Sequence, residues 1–234
     1  MTTPSYMPPG MAADYQKWAE KQAARTGPAT ADTFQQAKAE FLRAVAANPE
    51  KVEIPYELTP AGEREAKFLN VCPEKFRAAI DYRQVLARAA FDRVLGWDGR
   101  FPGPASTGPS GLGKTFASWH ALRRLYVVEN KPFAWFPVRR LVTELEHYDK
   151  KDCADEFFRA YDFFKILFVD DLDKINWDFE SEIQMLFAFF DWVYRRQKPC
   201  IVTTNRDRRW WVQKAGEAFT RRLFAGACVE VEFK

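Results

Sequence analysis

Several short apolar runs in the second half of the chain end on polar residues, which is the pattern of strands in a parallel sheet. The run 166–169 (Ile-Leu-Phe-Val) ends at Asp170 and Asp171, and another apolar run leads to Asn205. Continuous apolar runs of this length are typical of strands buried on both faces. The strands predicted after residue 130 are 132–138, 165–171, 199–205 and 228–233.

Segments with apolar residues at helical spacing lie between the predicted strands. In the segment 81–95, Leu86, Ala90 and Val94 fall on one face, which predicts a helix over the whole segment. The other predicted helices are 115–125, 139–148, the second half of 150–162, and 180–196. Strands that alternate with helices over about 130 residues predict an α/β fold with a mainly parallel sheet.

The segment that should carry the first strand of this sheet is unusual. Residues 101–107 (Phe-Pro-Gly-Pro-Ala-Ser-Thr) are mostly small and include two prolines. We predict a short strand at 104–107, because the glycine-rich loop that follows needs a strand before it. This strand is the poorest match to the predicted fold.

The first 70 residues differ from the rest in pattern and charge. Helices are predicted at 11–27, at 32–48 and at 59–70, where Pro60 takes the first helical position. Residues 11–70 contain 8 basic and 9 acidic side chains, whereas residues 71–234 contain 27 and 23. We therefore expect a helical N-terminal region, residues 1–70, before a larger domain, residues 71–234. The region either packs on the domain as a stabilising appendage or docks on a partner protein.

Composition places the chain among globular proteins. With 47% hydrophobic and 16% aromatic residues it is too apolar to be mainly disordered, and a net charge of +3 does not by itself indicate nucleic-acid binding. The four cysteines form no Cys-x-x-Cys pair, which argues against zinc sites and a disulfide framework. The sequence shows neither a secretory leader nor a membrane-length apolar run, so we expect a cytoplasmic protein without membrane contact.

A glycine-rich loop at 108–115 matches the phosphate-binding pattern G-x-x-x-x-G-K-[ST] at each fixed position. Glycines let backbone N–H groups turn toward phosphate oxygens, and the helix that follows points its positive dipole end at them. In this pattern the lysine contacts the β- and γ-phosphates, and the threonine hydroxyl takes one position on Mg²⁺. The residues predicted to bind ATP or ADP are Gly108, Pro109, Ser110, Gly111, Leu112, Gly113, Lys114 and Thr115.

Polar residues at the ends of two other strands complete the predicted site, because ligands of open parallel sheets lie at the carboxyl ends of the strands. Asp170 is placed to hold Mg²⁺ together with Thr115. Asp171 is the candidate general base or water-orienting group for attack on the γ-phosphate, and Asn205 could bond that water or the phosphate itself. Lys114, Asp171 and Asn205 are thus candidate catalytic residues for ATP hydrolysis.

In order and spacing, these motifs resemble the AAA+ ATPases, and within them the DnaC/IstB-like branch of bacterial and phage helicase loaders. The resemblance covers residues 72–234, where the matching motifs are Walker A at 108–115, Walker B at 166–171, sensor 1 at 201–205 and box VII at 219–223. It implies an AAA+ P-loop NTPase core with a mainly parallel five-stranded sheet. The chain ends at Lys234 soon after the last predicted strand, so we expect no C-terminal helical lid and no sensor 2 arginine.

The resemblance also implies that copies of the chain associate through their AAA+ domains. In this family a box VII arginine enters the nucleotide site of a neighbouring subunit, where its guanidinium stabilises charge on the γ-phosphate. Arg222 is the first candidate for this catalytic arginine and Arg221 the second. The alternative is a basic helix end that the helix dipole favours.

Two basic segments are candidates for contact with single-stranded DNA. The segment 206–214 combines basic residues with two tryptophans, a composition that suits stacked bases and paired phosphates. A pair of arginines opens the helix predicted after the second strand. The alternatives are that the tryptophans lie in the core or in a subunit contact, and that the arginine pair is a solvated helix start. The candidate DNA-binding residues are Arg139, Arg140, Arg208, Arg209 and Trp210.

The function predicted from these features is ATP-dependent loading of a replicative DNA helicase. The N-terminal region would bind the helicase, and ATP binding and hydrolysis would switch an assembly of AAA+ domains on the helicase and single-stranded DNA. One alternative is an IstB-type transposase-helper ATPase, and another is a nucleotide-gated binding module with little turnover. A small-molecule P-loop kinase would need an arginine-bearing lid, for which the sequence offers no good candidate.

Overall fold

The computed structural model describes residues 60–149, 154–177 and 179–234. The helices predicted at 11–27 and 32–48 lie outside these residues. The chain divides into two units between Lys67 and Phe68, and the fold below is that of the second unit. The helix predicted to begin at Pro60 is confirmed and runs to Val71, across that division.

From Arg88 to the end of the chain, one or two helices separate each strand from the next. The helices are α1 (Pro60–Val71), α2 (Arg88–Leu95), α3 (Lys114–Val127), α4 (Val138–Asp149), α5 (Ala154–Asp162), α6 (Glu180–Arg195) and α7 (Arg208–Arg222). Short helical turns occur at Glu74–Phe76, Leu172–Lys174 and Leu223–Ala227. The strands are β1 (Gly103–Thr107), β2 (Phe133–Pro137), β3 (Ile166–Asp170), β4 (Cys200–Thr203) and β5 (Cys228–Glu232). No helix in the described segments is both long and apolar enough to cross a membrane.

The five strands form one parallel sheet in the order β2-β3-β4-β1-β5. This confirms the predicted α/β fold with a mainly parallel five-stranded sheet. Because all the strands run the same way, the residues that follow β1, β3 and β4 lie at one edge of the sheet. That edge carries the glycine-rich loop, the paired aspartates and Asn205.

Large aromatic side chains fill the space between the sheet and its helices. Helix α6 buries Leu186, Phe189, Phe190 and Val193. Trp119 of α3 is fully buried and meets the ring of Phe168 on β3 at 5.7 Å, edge to face. Burial of each such side chain contributes about 1.5–3 kcal/mol, and the aromatic pairs add to this.

Strand β1 is the element that the sequence predicts least well, and its small residues have a structural reason. All five of its residues are buried between β4 and β5. A Cβ atom on Gly103 would lie 2.0 Å from the carbonyl oxygen of Cys200, and one on Gly108 would lie 2.1 Å from that of Phe233. The backbones approach so closely here that only glycine fits, so the strand is held by its ladder rather than by bulky side chains.

Helix α2 is shorter than the sequence predicts. It begins at Arg88 rather than at Asp81, and Leu86, which was expected on its buried face, is 73% exposed. The Asp81 carboxylate accepts a hydrogen bond from the backbone N–H of Arg83 at 3.1 Å, and the Gln84 N–H donates to the Asp81 carbonyl at 2.9 Å. Such a turn competes with helix formation, which explains the late start.

We predict that Gly103→Ala destabilises the fold by about 3 kcal/mol or more, because the new methyl group would overlap a strand backbone that cannot move away. Chemical denaturation followed by circular dichroism measures the loss. Gly226→Ala is the matched control. Its methyl group would meet the ring of the partly exposed Tyr194 at 3.3 Å, and that ring can shift. Equal stability of the Gly103 variant and the parent protein would contradict the close approach at β1.

Candidate nucleotide-binding site

The glycine-rich loop joins β1 to α3 and has the backbone conformation of an anion cradle. Gly108, Gly111 and Gly113 have positive φ angles of 119°, 86° and 89°. The first hydrogen bond of α3 runs from the Ala117 N–H to the Gly113 carbonyl at 2.8 Å, so the N–H groups of the three preceding residues lie before the helical ladder. Free amides at a helix N-terminus are suited to bind phosphate.

Lys114 is folded back into this loop. Its Nζ donates to the carbonyl oxygens of Gly108 at 2.7 Å and Pro109 at 2.6 Å, and only 6% of the residue is exposed. Burial lowers the pKa of Lys114, while the charges of nearby aspartates, Asp173 first among them, raise it. The ammonium group therefore lies inside the loop that is predicted to bind phosphate, bonded to carbonyl oxygens of that loop.

Asp170 connects the loop helix with two strands. Its Oδ1 accepts hydrogen bonds from Thr115 at 2.9 Å and from Thr203 at 2.6 Å, and the Thr203 hydroxyl in turn accepts from the Asp171 N–H at 2.9 Å. The residue is 9% exposed. Burial raises the pKa of Asp170, and the hydrogen bonds from Thr203 and Thr115 oppose that rise. The structure thus brings Thr115 and Asp170 together as the sequence predicts, and it adds Thr203.

Asp171 and Asn205 also lie beside each other. Asp171 has a left-handed backbone conformation with φ of 55° and is exposed, and Asn205 Nδ2 lies 3.5 Å from its Oδ1. A contact of this length in a nucleotide-free protein is compatible with a catalytic pair, because such bonds often shorten only when substrate binds. Both candidate catalytic residues stand at the carboxyl edge of the sheet, with Lys114 and Asp170.

The sequence reasoning missed Asp173. Its side chain is 3% exposed, and its Oδ1 accepts a hydrogen bond from the Asn205 backbone N–H at 2.7 Å. The available signal was a third aspartate two residues beyond Asp171 in the run Asp-Asp-Leu-Asp. Whether such an acid faces solvent or a neighbouring strand depends on the turn at Leu172–Lys174, which the apolar pattern does not predict.

The donors present fit a magnesium nucleotide. The loop glycines leave room for phosphate, since a Cβ on Gly111 would meet nothing within 4 Å, and a hydroxyl and a carboxylate stand together at Thr115 and Asp170. Among the described residues, no three His, Cys, Asp or Glu side chains form a metal site by themselves. Mg²⁺ bound here would take further ligands from phosphate oxygens and water, as it does in most nucleotide sites.

The two candidate arginines of box VII differ in their surroundings. Nη2 of Arg222 pairs with Asp191 Oδ1 at 3.0 Å, and its guanidinium lies 4.5 Å from the centre of the Tyr194 ring. The side chain of Arg221 is exposed. Within this chain, Arg222 is thus held against α6, and a role for either arginine in a neighbouring subunit stays a prediction.

The candidate DNA-binding residues around α7 divide into exposed and packed ones. Arg208 and Arg209 are exposed at the start of the helix, after β4. Trp210 is half-buried against Trp177, with centroids 6.1 Å apart, and Trp211 is fully buried in the core. The core interpretation is therefore correct for Trp211. Base stacking on Trp210 stays a prediction.

Arg139 and Arg140 are both exposed at the start of α4. Arg140 pairs with Glu144 one helical turn on, with Nε 2.7 Å from Oε1, which leaves Arg139 as the better candidate of the two. This helix start follows β2, and the start of α7 follows β4, so parallel pairing puts both arginine pairs on the same edge of the sheet as the nucleotide site.

Comparison with known proteins supports the fold. Neither a family model nor a curated protein matches the chain. The crystal structure of the DnaC helicase loader is 16% identical with a TM-score of 0.54, and the match covers 72% of this chain and 99% of the chain in that structure. The crystal structure of DnaI is 19% identical with a TM-score of 0.51, and the match covers 70% of this chain and 95% of that one. The structure of the replication initiator DnaA bound to AMPPCP and single-stranded DNA is 19% identical with a TM-score of 0.52, and the match covers 69% of this chain but only 51% of that one.

At these identities the likeness shows the fold alone. The second unit has the AAA+ fold found in helicase loaders of the DnaC and DnaI type, as the sequence motifs predict. DnaA, an initiator, has a similar score, so the fold does not by itself separate loaders from initiators.

We predict that Asp170→Asn stabilises the nucleotide-free protein at neutral pH. Because burial raises the pKa of Asp170 in the folded state, its charge lowers the stability above that pKa, and the penalty disappears as pH falls through the folded pKa toward 3.8. Asparagine keeps an oxygen that accepts from Thr115 and Thr203. Differential scanning fluorimetry should show a melting temperature about 2–4 °C higher at pH 8, with a smaller gain at pH 5.

The control for this prediction is Asp98→Asn, in which an exposed carboxylate is replaced. Its melting temperature should stay within about 1 °C of the parent at both pH values. A lower melting temperature for Asp170→Asn at pH 8 would show that the ionised carboxylate stabilises the empty site instead.

Proposed function

We propose that this protein is an ATP-dependent loader of a replicative DNA helicase. The observation that carries the proposal is the cluster of Lys114, Thr115, Asp170 and Asp171 around a phosphate-binding loop, on a fold that matches 99% of the chain in the DnaC helicase loader structure. The cluster supports ATP binding and hydrolysis, and the fold supports the use of that hydrolysis as a switch.

The residues of the site have distinct roles in this proposal. The loop amides and Lys114 bind the phosphates, and Thr115 and Asp170 hold Mg²⁺, which neutralises phosphate charge when it is bound. Asp171 orients the attacking water or accepts its proton, and the Asn205 amide bonds that water or the γ-phosphate. The phosphorus forms a bond to the water oxygen and loses its bond to ADP.

Self-association completes the site in the proposal. An arginine, Arg222 or else Arg221, from a neighbouring copy stabilises negative charge on the γ-phosphate. For Arg222 this requires release from Asp191 and Tyr194, both on α6 of its own chain. The ATPase is therefore weak in the isolated chain and is stimulated by assembly or DNA.

Two surfaces connect the ATPase with its partners. The first surface contacts the phosphates of single-stranded DNA. It consists of the exposed residues Arg139, Arg208 and Arg209, on the same edge of the sheet as the nucleotide site. Residues 1–70, in which basic and acidic side chains are nearly balanced, bind the helicase. A nucleotide-gated binding module with little turnover is the second candidate, because Asp171 is exposed and its contact with Asn205 is long, at 3.5 Å.

We predict that Lys114→Ala abolishes nucleotide binding, whereas Asp171→Asn retains binding and loses turnover. Lysine supplies the charge that meets the phosphates, and Asp171 acts only when water attacks, so its loss should lower kcat by about 100-fold with ATP affinity unchanged. Titration with a fluorescent ATP analogue measures binding, and phosphate release with and without single-stranded DNA measures turnover. Full turnover in the Asp171 variant would remove it from the mechanism, and negligible turnover in the parent would favour the binding module.

We predict that deletion of residues 1–59 abolishes binding to the replicative helicase and leaves nucleotide binding intact, because the loop, Asp170 and Asn205 all lie in the second unit. Co-purification of the tagged full chain and the tagged deletion variant with the helicase of the same cell checks this. Retention of the helicase by the deletion variant would refute the docking role, and recovery of a transposase instead would favour the IstB-type helper.

A further inference from the structure

Asp173 is a buried acid that the motifs do not use. It lies in the helical turn Leu172–Lys174 after β3, and its side chain is 3% exposed. Its Oδ1 accepts a hydrogen bond from the Asn205 backbone N–H at 2.7 Å, and its Oδ2 lies 3.5 Å from Asn205 Nδ2. One carboxylate thus contacts both the backbone and the side chain of Asn205.

The helical turn that carries Asp173 is held in place by its own contacts. Leu172, its neighbour, is fully buried in the core, and the Lys174 N–H closes the turn on the Asp171 carbonyl at 2.8 Å. The Asp171 N–H is itself bonded to Thr203 on β4 at 2.9 Å. Asp173 therefore lies in a hydrogen-bonded turn that begins at Asp171, the candidate base.

The backbone hydrogen bonds between β1 and the segment after β4 continue to the residue before Asn205. The Thr204 N–H donates to the Ser106 carbonyl on β1 at 3.0 Å, which continues the ladder. At Asn205 the partner of the backbone N–H is instead the Asp173 carboxylate. This bond joins the backbone at Asn205 to the turn that follows Asp171, in addition to the bond between the Asp171 N–H and Thr203.

A buried carboxylate is an expensive acceptor for an amide, because the charge loses its hydration. Its ion-pair partner is Lys174, whose Nζ lies 3.8 Å away and whose side chain is 56% exposed, and its charge also acts on the buried ammonium group of Lys114. Burial of this carboxylate costs free energy, and its two hydrogen-bond contacts are both with Asn205. These contacts favour a role in positioning Asn205 over a role in stabilising the fold.

We propose that Asp173 is a positioning residue that holds the Asn205 carboxamide beside Asp171, so that both face the attacking water at once. The inference rests on the proposed ATPase function and deepens it. Asp173 does not touch the nucleotide. It acts through Asn205, and its removal leaves the phosphate cradle, Thr115 and Asp170 in place.

The test uses the full-length chain with Asp173→Ala and Asp173→Asn. The alanine variant removes both contacts, so single-turnover ATP hydrolysis should slow by about 10- to 100-fold, with affinity for the ATP analogue within about twofold of the parent. The asparagine variant keeps an oxygen that can accept from the Asn205 N–H, so it should hydrolyse ATP within about threefold of the parent. Lys174→Ala, which removes the ion pair alone, is the matched control and should behave as the parent.

A second readout does not depend on turnover. Amide hydrogen exchange at Asn205, followed by NMR, should speed up by about tenfold or more in Asp173→Ala and stay slow in Asp173→Asn, while exchange at Thr204 is unchanged in both. Unchanged exchange at Asn205 in the alanine variant would overturn the positioning role, even if the parent protein proved to have no ATPase activity. Absence of that activity with the expected exchange pattern would count against the proposed function instead.

A double-mutant comparison shows whether Asp173 acts through Asn205. In an Asn205→Ala background, Asp173→Ala should slow hydrolysis by no more than about twofold further, because the residue that it positions is already gone. A full and independent second loss would overturn the proposal. So would equal loss in the alanine and asparagine variants, since the charge rather than the hydrogen bond would then matter.

Discussion

The two hydroxyl groups that donate to Asp170 are the contacts on which the site depends. Thr115 belongs to the helix after the loop and Thr203 to the neighbouring strand, so one buried carboxylate fixes the distance between three elements. The pKa of Asp170 is raised by burial, which means that its charge is not fully compensated in the nucleotide-free protein. A bound Mg²⁺ would supply the missing charge, so the burial of this carboxylate, which is unfavourable in the empty site, would favour the occupied one.

The sheet can bring these groups together because β1 lies so close to its neighbours. Apolar runs predicted β3 and β4 well, since a strand buried on both faces needs apolar side chains. They predicted β1 poorly, because its fit depends on backbone spacing at Gly103 and Gly108, which no periodicity shows. The error at 81–95 has a local cause, since the Asp81 side chain bonds the backbone where a helix would otherwise begin.

The site was predictable where chemistry requires a fixed local pattern and not where it depends on neighbouring strands. The loop, Lys114 and Thr115 form one continuous motif, and Asp170 ends a strand that is recognisable by itself. Asp173 is different, because its partner is 32 residues away and meets it only through the pairing of β3 with β4. The burial of Trp211 likewise depends on its contact with Trp177, which is distant in sequence.

The choice of partner depends on parts of the chain that the AAA+ fold does not specify. Structures of loaders and of an initiator match this chain about equally well, so the shared fold leaves open the target of the proposed nucleotide switch. The charge distribution narrows the target, because residues 11–70 carry 8 basic and 9 acidic side chains while the excess of positive charge lies in the domain. A nearly neutral region is a poor ligand for a polyanion and a suitable one for a protein surface. The charge balance therefore supports the proposal that the N-terminal region binds a protein, and the proposed DNA contacts lie instead on the domain, at the carboxyl ends of the strands.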